Sequence, residues 1–306
     1  MSLEREGRRV ETSKPEVASL GDVIVDEVIP LNAVNETADY VPREGESIVV
    51  EDAPEYLREL SVEQEPGGRG PHQALAASLA GADTAFYTET GSLEPLQKLE
   101  EAGVGIEARY RDRPLSTSYV FKGEGENRIA FSRGPDKVFS DDYLEEVVEK
   151  AAGSDCLLLT NGEPEEVVER ILEGVKGSGT EVIFDPVPVQ GAQKYVEHEA
   201  VDYLTPNRVE YDALELDGVD ATVIRTAAEG AYFEDTFIPS PEVEVEDTTG
   251  AGDTFNGYLA ARLSQGEELE EAVEYAVTAA SLSVKEQGVQ SAMPSLDEVE
   301  AALEGR

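Results

Sequence analysis

The sequence predicts an α/β protein with a doubly wound, mostly parallel sheet and a small β-sheet lid. Short apolar runs of strand type alternate along the chain with segments whose apolar residues recur at helical spacing. Helical segments of this length between strands act as crossovers, which favours parallel strand pairing. Two stretches interrupt the alternation with short β patterns and no long helix, and these predict the lid.

The predicted elements follow one another in regular order. The strands are residues 17–25, 85–88, 156–160, 182–185, 203–205 and 221–225, with a half-buried strand at 243–246, where apolar and acidic residues alternate. The helices include residues 73–79, 140–151, 164–176 and a segment that has Asp253 in its first turn and is closed by Gly266. In such sheets ligands bind at the carboxyl ends of the strands, where the chain turns into helices.

The domain organisation is simple. Residues 27–65 and 109–133 contain short β patterns and read as an antiparallel excursion, the lid, from one domain that spans residues 16–304. Residues 1–15 are charged and lack the apolar core of a signal peptide, so we expect a disordered leader.

The charge balance is strongly acidic: 66 Asp and Glu residues stand against 24 Lys and Arg, for a net charge of −42. The acids lie on amphipathic segments such as 268–274, so they coat folded helices and do not mark a disordered chain. In molar salt the screening length falls to about 3 Å, which removes most of the repulsion between surface charges. The pattern predicts a protein of a halophilic cytoplasm; a surface that binds a basic partner is the alternative.

Composition also excludes several classes of partner. Nucleic-acid phosphates need clusters of Lys and Arg, which this chain lacks, so we expect no nucleic-acid binding. No apolar stretch approaches the length of a membrane span, so we expect no membrane insertion. The single cysteine, Cys156, rules out an intrachain disulfide, and its apolar neighbours predict a buried thiol.

The turn at residues 250–253, with the sequence Gly-Ala-Gly-Asp, leads from the predicted strand 243–246 into a helix. The first amides of a helix have no partner within it and the helix dipole adds positive potential, so this turn predicts an anion site. We expect Asp253 to take a proton from a hydroxyl while the amides of Gly250, Ala251 and Gly252 hold the phosphate that is attacked. The alternative is that Asp253 only caps the helix and the glycines only form the turn.

Four segments carry a resemblance to a known family. Residues 247–257, Asp-Thr-Thr-Gly-Ala-Gly-Asp-Thr-Phe-Asn-Gly, resemble the C-terminal signature of the ribokinase (PfkB) family of sugar kinases. Residues 67–77 are similar to its N-terminal signature, residues 19–26 to its opening strand, and residues 205–210 to its Asn-x-x-Glu motif. The resemblance runs from Val17 to Leu303 in the family's order. It implies transfer of the γ-phosphate of ATP, with Mg²⁺, to a primary hydroxyl of a small sugar.

On the sugar side, the resemblance implies a set of contacts supplied by the first strand, the N-terminal signature and the lid. These residues are Asp26, Gly67, Gly68, Arg69, His72 and Arg133. Asp26, at the end of the first strand, would accept hydrogen bonds from sugar hydroxyls. Arg69 and His72 fall where ribokinases carry Lys and Asn, while Arg133 resembles an arginine of fructokinase-type members.

On the nucleotide side, the resemblance implies that Asn207 and Glu210 hold Mg²⁺ indirectly. The residues implied to contact the nucleotide are Asn207, Arg225, Thr226, Ala227, Gly230 and Gly252, with Ala227 in place of a usual glycine. No Gly-x-x-x-x-Gly-Lys-Ser/Thr string is present, which excludes a P-loop mechanism.

Two further features come from the resemblance. Asp247, Thr249 and Gly288 resemble the monovalent-cation site of ribokinases, which implies K⁺, although Ala292 replaces a common serine ligand. The lid often forms a dimer interface in that family, so we expect a homodimer through the lid.

The identity of the acceptor stays open at this stage. Ile24 replaces a polar sugar contact, and Gly162 falls where ribokinases have a glutamate. Ribose, fructose, a deoxy-keto acid and a nucleoside are all compatible, so a nucleoside kinase is one alternative. A non-catalytic sensor of sugar or nucleotide is another, but the intact Gly-Ala-Gly-Asp argues against it because a sensor needs no base.

Overall fold

The computed structural model describes residues 14–36, 38–43, 46–50, 53–123, 127–132, 139–216, 219, 222–226 and 229–305. The strands are β1 (Val17–Leu20), β2 (Ile24–Pro30), β3 (Ser47–Val50), β4 (Glu63–Gly67), β5 (Thr84–Thr90), β6 (Gly105–Tyr110), β7 (Ser116–Lys122), β8 (Asn127–Ser132), β9 (Cys156–Thr160), β10 (Glu181–Asp185), β11 (Tyr203–Leu204), β12 (Val223–Arg225), β13 (Gly230–Phe233) and β14 (Thr236–Pro239). The helices are α1 (Leu57–Leu60), α2 (Arg69–Leu79), α3 (Gln97–Glu101), α4 (Asp141–Ala151), α5 (Glu165–Val175), α6 (Arg208–Ala213), α7 (Ala251–Ser264), α8 (Leu269–Ser283), α9 (Val289–Ala292) and α10 (Leu296–Glu304).

A parallel sheet with the strand order β11-β10-β9-β1-β5-β6 forms the centre of the fold. Helices α2, α7 and α8 pack on one face and helices α4 and α5 on the other. Alternate residues of β9 serve the two faces: Cys156 and Leu158 belong to the first core, Leu157 and Leu159 to the second. The prediction of a doubly wound parallel sheet is confirmed, as is the buried thiol of Cys156.

The lid is a five-stranded sheet with the order β3-β8-β7-β2-β4. Its pairing is mixed, because β2–β7 and β3–β8 are parallel whereas β7–β8 and β2–β4 are antiparallel, so the expectation of a purely antiparallel excursion is wrong. Its strands also begin at Ile24 and Ser116, not near 27 and 109, since β6 pairs with β5 in the central sheet. The chain between β2 and β4 supplies Leu31, Val41 and Leu57 to a small apolar cluster of the lid.

Residues 17–25, predicted as one strand, are divided by a buried ion pair at the crossing from the central sheet to the lid. Arg113, on the second crossing, donates to Asp22 Oδ1 at 2.8 Å and to the carbonyl oxygen of Glu89 at 2.7 Å. Ser116 Oγ donates to the other carboxylate oxygen of Asp22. This pair, the Asp22–Arg113 joint, ends β1 at Leu20, so Asp26 lies within the lid strand β2 and not at the end of the first central strand.

The strand predicted at residues 243–246 is wrong, because the structure has irregular backbone there. Val243 and Val245 line a cavity, and the amide of Glu246 donates to the carbonyl oxygen of Val284 in place of a strand neighbour. The strand predicted at 221–225 is seen as β12, which belongs to a separate antiparallel sheet, β12-β13-β14. A parallel bridge from Leu204 to Thr222 connects that sheet to the central one.

The long helices match their predicted spans closely. Ser140 and Pro164 are the N-caps of α4 and α5, while α2 begins at Arg69, earlier than predicted. Across the described ranges, every helix is too short or too polar to cross a bilayer. Of the predicted leader, only Lys14 and Pro15 fall among the described residues.

Candidate functional site

Two cavities meet at Asp253, and they differ in size. The smaller has a volume of about 110 Å³ and is lined by the start of α2, by β2 of the lid and by Glu163. The larger has a volume of about 630 Å³ and extends along α7, α8 and the irregular segment that contains Val243. The residues that line both are Ser47, Arg69, Ile129, Thr249, Gly250 and Asp253.

The turn before α7 needs its glycines for steric reasons. Gly250 is the N-cap of α7 with φ +78°, a left-handed conformation that favours glycine. A Cβ at Gly250 would lie 2.3 Å from Val289 Cγ1, and a Cβ at Gly252 would lie 2.1 Å from Arg225 Nη1. The first turn of the 14-residue helix α7 borders the larger cavity with Ala251 and Gly252, while Gly250 and Asp253 border both cavities.

Asp253 lies in the first turn of α7 and is only 5% exposed. Gln73 Nε2 donates to its Oδ1 at 3.1 Å. His72 Nδ1 lies 3.6 Å from Oδ2, and Arg69 Nη1 lies 3.9 Å from Oδ1. One amide donor and two basic groups therefore hold a buried carboxylate at the boundary between the cavities, where it can accept a proton from a bound hydroxyl.

Beside the smaller cavity, the carboxylate of Asp26 lies against the backbone of Gly67. A Cβ added to Gly67 would be 2.3 Å from Asp26 Oδ1. Burial raises the pKa of Asp26 to about 6, while the charge of His72 and a hydrogen bond from Ser118 oppose the rise. Glycine at position 67 is thus required by the close approach of a carboxylate to the backbone.

His72 is held between two carboxylates and a carbonyl oxygen. Its Nε2 donates to the Pro66 oxygen at 3.1 Å, since a carbonyl can only accept. Burial lowers the pKa of His72, but the hydrogen bond to Asp253 and the charges of Asp253 and Asp26 outweigh burial, so the pKa is raised above its ordinary value. The ring can therefore carry a positive charge beside Asp253.

On the larger cavity, Asn207 and Glu210 form a capping box at the start of α6. Asn207 Oδ1 accepts from the Glu210 amide at 2.8 Å, and Glu210 Oε2 accepts from the Asn207 amide at 2.8 Å. The side chain of Glu210 also lies 3.4 Å from Arg225 Nη2. The capping box and this ion pair fix both predicted metal residues beside the cavity.

Asp185, at the end of β10, joins the same cluster. Its Oδ1 accepts from Arg225 Nη2 at 2.9 Å, and its Oδ2 accepts from Asn256 at 3.0 Å and from Gln73 at 3.3 Å. Burial raises the pKa of Asp185 to about 7, with Arg225 opposing the rise and Glu210 adding to it. Gln73 therefore connects Asp185 to Asp253 through one side chain.

The remaining predicted residues are placed as follows. Asp247 Oδ1 accepts from the amide and hydroxyl of Thr249, at 2.9 and 2.6 Å, and Lys122 of the lid lies 2.8 Å from Asp247 Oδ2. Gly288 is the N-cap of α9 with φ +88°. The amide and hydroxyl of Thr226 both donate to the oxygen of Gly230 at 2.9 Å, which closes a turn beside the larger cavity. Arg133 and Ala227 lie outside the described residues.

Sequence reasoning missed Glu163, Gln73, Asp185 and Lys122. Two of these carried a usable signal: Asp185 ends a predicted parallel strand, and Glu163 follows another, which is where ligands bind in such sheets. The residue after Gly162, Glu163, lines the smaller cavity, and its Oε1 accepts from the Asp22 amide at 3.1 Å. Gln73 and Lys122 gave no local signal.

Comparison with known proteins gives one consistent result. A model of the pfkB carbohydrate kinase family matches residues 33–296. The ribokinase of Bacillus subtilis is 31% identical over 287 residues, which cover 87% of this chain and 94% of that protein.

Solved structures of ribokinases have a similar fold. The crystal structure of Thermotoga maritima ribokinase has a TM-score of 0.72 at 26% identity, with 95% of this chain and 99% of that chain covered. Arabidopsis thaliana ribokinase, solved with ribose and ATP, has a TM-score of 0.71 at 22% identity, with 95% of this chain and 99% of that chain covered. At that identity, the second likeness shows the shared fold alone.

Proposed function

The chain belongs to the pfkB family of carbohydrate kinases, phosphotransferases with an alcohol group as acceptor, and from that premise we propose that it transfers the γ-phosphate of ATP to a primary hydroxyl of a small sugar. The observation that carries the proposal is the position of Asp253, which lines both the smaller and the larger cavity and lies at the first turn of α7. A base between an acceptor site and a nucleotide site is the arrangement that phosphoryl transfer requires.

The proposed reaction uses few groups. The acceptor hydroxyl in the smaller cavity donates its proton to Asp253 as its oxygen attacks the γ-phosphorus. A bond forms between that oxygen and phosphorus, the bond from phosphorus to the oxygen bridging to the β-phosphate breaks, and ADP leaves with the electron pair. The amides of Gly250, Ala251 and Gly252 stabilise the negative charge on the phosphoryl oxygens in transit.

Acceptor binding is assigned to the charged lining of the smaller cavity. Asp26 would accept hydrogen bonds from sugar hydroxyls, while Arg69 and His72 would donate to them. Gly67 and Gly68 border this set, and Arg133 is kept as a contact by resemblance. The similarity to the B. subtilis ribokinase supports a pentose as the first acceptor to test.

The larger cavity is assigned to ATP. Its walls include Phe255 of α7, Val277 of α8 and Val284 just after α8, apolar residues that suit a nucleobase. The end of the cavity at Asp253 carries Asn207, Arg225, Gly230 and Gly252, with Thr226 and Ala227 implied nearby by the family loop.

Mg²⁺ fits this end of the cavity. Magnesium is usually held by one or two carboxylates together with substrate phosphates, and Glu210 supplies one carboxylate in the lining of this cavity. When bound, Mg²⁺ would neutralise phosphate charge, and Asn207 and Glu210 would hold it indirectly.

Three further assignments accompany the kinase proposal. The Asp247, Thr249 and Gly288 set is proposed to bind K⁺, although the Lys122 ammonium already supplies positive charge at Asp247. A homodimer through the lid is proposed by resemblance, to be measured by light scattering. The net charge of −42 supports a halophilic cytoplasm as the setting.

The test is a coupled assay of ADP release in about 2 M KCl, over ribose, deoxyribose, fructose, a deoxy-keto acid and nucleosides. We expect ATP-dependent turnover with a sugar and little with nucleosides, and replacing KCl by NaCl tests the cation. Turnover only with nucleosides would move the assignment to a nucleoside kinase. ATP binding without turnover on any acceptor would favour a sensor.

A further inference from the structure

Arg225 lies between the start of α6 and the turn that begins α7. It ends β12, and its amide donates to the Pro206 oxygen at 2.9 Å, which fixes its backbone beside α6. Its side chain, 11% exposed, reaches the first turn of α7, where Nη1 would meet a Cβ on Gly252 at 2.1 Å. The guanidinium therefore lies directly against the turn that is proposed to hold the transferred phosphoryl group.

Only part of this guanidinium is satisfied by protein groups. Nη2 contacts both Asp185, at 2.9 Å, and Glu210, at 3.4 Å. Nε is buried and has no hydrogen-bond partner within the described ranges. A buried donor without an acceptor is unfavourable, so the group is incompletely satisfied without a ligand.

The two carboxylates do not depend on Arg225 alone for hydrogen bonds. Asp185 Oδ2 accepts from Asn256 and Gln73, and both Glu210 oxygens accept from Asn207. These carboxylates can therefore lose the Arg225 contact and keep neutral partners, particularly if a cation that accompanies the nucleotide replaces the arginine.

The start of α7 offers a phosphate a second positive group beside Arg225. The first turn of the helix carries the positive end of the helix dipole, and Nη1 lies against it. In this structure the carboxylates of Asp185 and Glu210 balance the charge of the guanidinium. A phosphate at the turn would contact both the helix terminus and Nη1 once the arginine exchanges those carboxylates for phosphate oxygens.

We propose that Arg225 binds the γ-phosphoryl group of ATP, exchanging its contacts with Asp185 and Glu210 for phosphate oxygens when the nucleotide enters. The inference rests on the proposed function, because it assumes that the larger cavity takes ATP. Arg225 is then a residue that touches substrate, and it distinguishes ATP from ADP because only ATP carries the γ-phosphate.

The experiment compares direct binding of ATP and of ADP by calorimetry, without acceptor, in wild type, Arg225→Gln and Arg225→Lys. We expect Arg225→Gln to weaken ATP binding by about 10- to 100-fold, as for a lost charge-assisted hydrogen bond, and ADP binding by less than about 3-fold. Arg225→Lys should recover part of the ATP affinity, since it keeps the charge but not the planar fork. Arg208→Gln is the matched control, because Arg208 on α6 is exposed and its contacts, an ion pair with Asp212 and the ring of Tyr211, are on the same helix.

Each other outcome contradicts the inference in a defined way. An equal loss for ATP and ADP would place Arg225 on the part shared by both nucleotides, and no loss for either would make it only an internal ion pair. If Arg225→Gln melts too low to measure, Asp185→Asn/Arg225→Gln removes both charges, and it must still lose ATP affinity selectively. A wild-type protein that binds neither nucleotide would overturn the proposed function itself, whereas normal wild-type binding with an unaffected variant overturns this inference alone.

Discussion

The two cavities at Asp253 differ in size and in the residues that line them. The smaller one, about 110 Å³, gathers Asp26, His72, Arg69 and Glu163 at buried or half-buried positions. The larger one, about 630 Å³, adds a long apolar stretch with Phe255, Val277 and Val284, and Arg225 lies where this cavity meets the turn before Asp253. A small neutral acceptor offers only hydroxyls, so its site needs several precisely oriented polar groups, whereas a nucleotide can be held by a nucleobase at one end and phosphates at the other.

The two cavities therefore predict which mutations should affect acceptor binding and which should affect nucleotide binding. A residue of the smaller cavity should change acceptor binding and leave nucleotide binding alone, and the reverse should hold for the larger cavity. Only the shared boundary should affect the chemical step. The four predictions below test that separation.

The largest expected effect is at the boundary. Asp253→Asn should lower kcat by roughly 10²–10⁴-fold, because the amide cannot take the proton, while the Kd for ATP stays within about 3-fold of wild type. Steady-state kinetics and calorimetry measure the two quantities. Asp297→Asn on α10, an exposed carboxylate, is the control. Wild-type turnover in Asp253→Asn would show that Asp253 is not the base.

On the acceptor side, Asp26→Ala should raise the KM for the best acceptor by about 10- to 100-fold, the effect of losing a charge-assisted hydrogen bond. The KM for ATP should stay unchanged. Glu63→Ala, an exposed carboxylate of the same lid sheet, should change neither. An unaltered acceptor KM in Asp26→Ala would assign Asp26 to lid structure only.

Salt should affect the kinetics of ATP and of the acceptor differently, because the two proposed ligands differ in charge. With a net charge of −42, the protein repels an anionic nucleotide at low ionic strength and does not repel a neutral sugar. Between about 0.1 and 2 M KCl, kcat/KM for ATP and the melting temperature should therefore rise together, while the acceptor KM changes little. A melting temperature that is flat over this range would remove the halophile assignment and leave the kinase assignment intact.

The smallest expected effect is on stability. The pKa of Asp26 is raised to about 6, so the folded protein holds this proton more tightly than the unfolded chain does, and stability falls as the pH rises through the interval from about 4 to 6. Asp26→Asn removes that loss, so its melting temperature should exceed that of wild type by roughly 2–5 °C at about pH 7.5 and match it near pH 4.

Asp142→Asn serves as the control for that measurement. The hydrogen bond from Arg109 lowers the pKa of Asp142, so this exposed carboxylate should show no such gain above pH 6. A higher melting temperature for Asp142→Asn as well would mean that the gain comes from lowering the net negative charge and not from the burial of Asp26.

Sequence patterns predicted the elements whose signals are local. The turn with Gly250 and Asp253 could be found because its residues are adjacent, and the helices α4 and α5 because their apolar spacing and N-caps are local too. The contact between Gln73 and Asp253 spans 180 residues, and no spacing within the sequence indicates it.

The errors have physical reasons. Apolar and acidic residues alternate at 243–246 because one side faces a cavity, not because a strand neighbour exists. In the sequence, residues 17–25 read as one continuous strand. The break at Asp22 cannot be seen there, because the buried Asp22 carboxylate is paired with Arg113, which is far along the chain.

The Asp22–Arg113 joint has a mechanical consequence for a protein with such a surface. Salt ions weaken exposed ion pairs such as Arg208 with Asp212, but they reach a buried pair much less, and both side chains of the joint are only 3% exposed. The attachment of the lid to the central sheet should then keep nearly constant stiffness from dilute buffer to brine. Concentrated salt should weaken the exposed ion pairs and leave the ion pair between the lid and the central sheet largely unchanged.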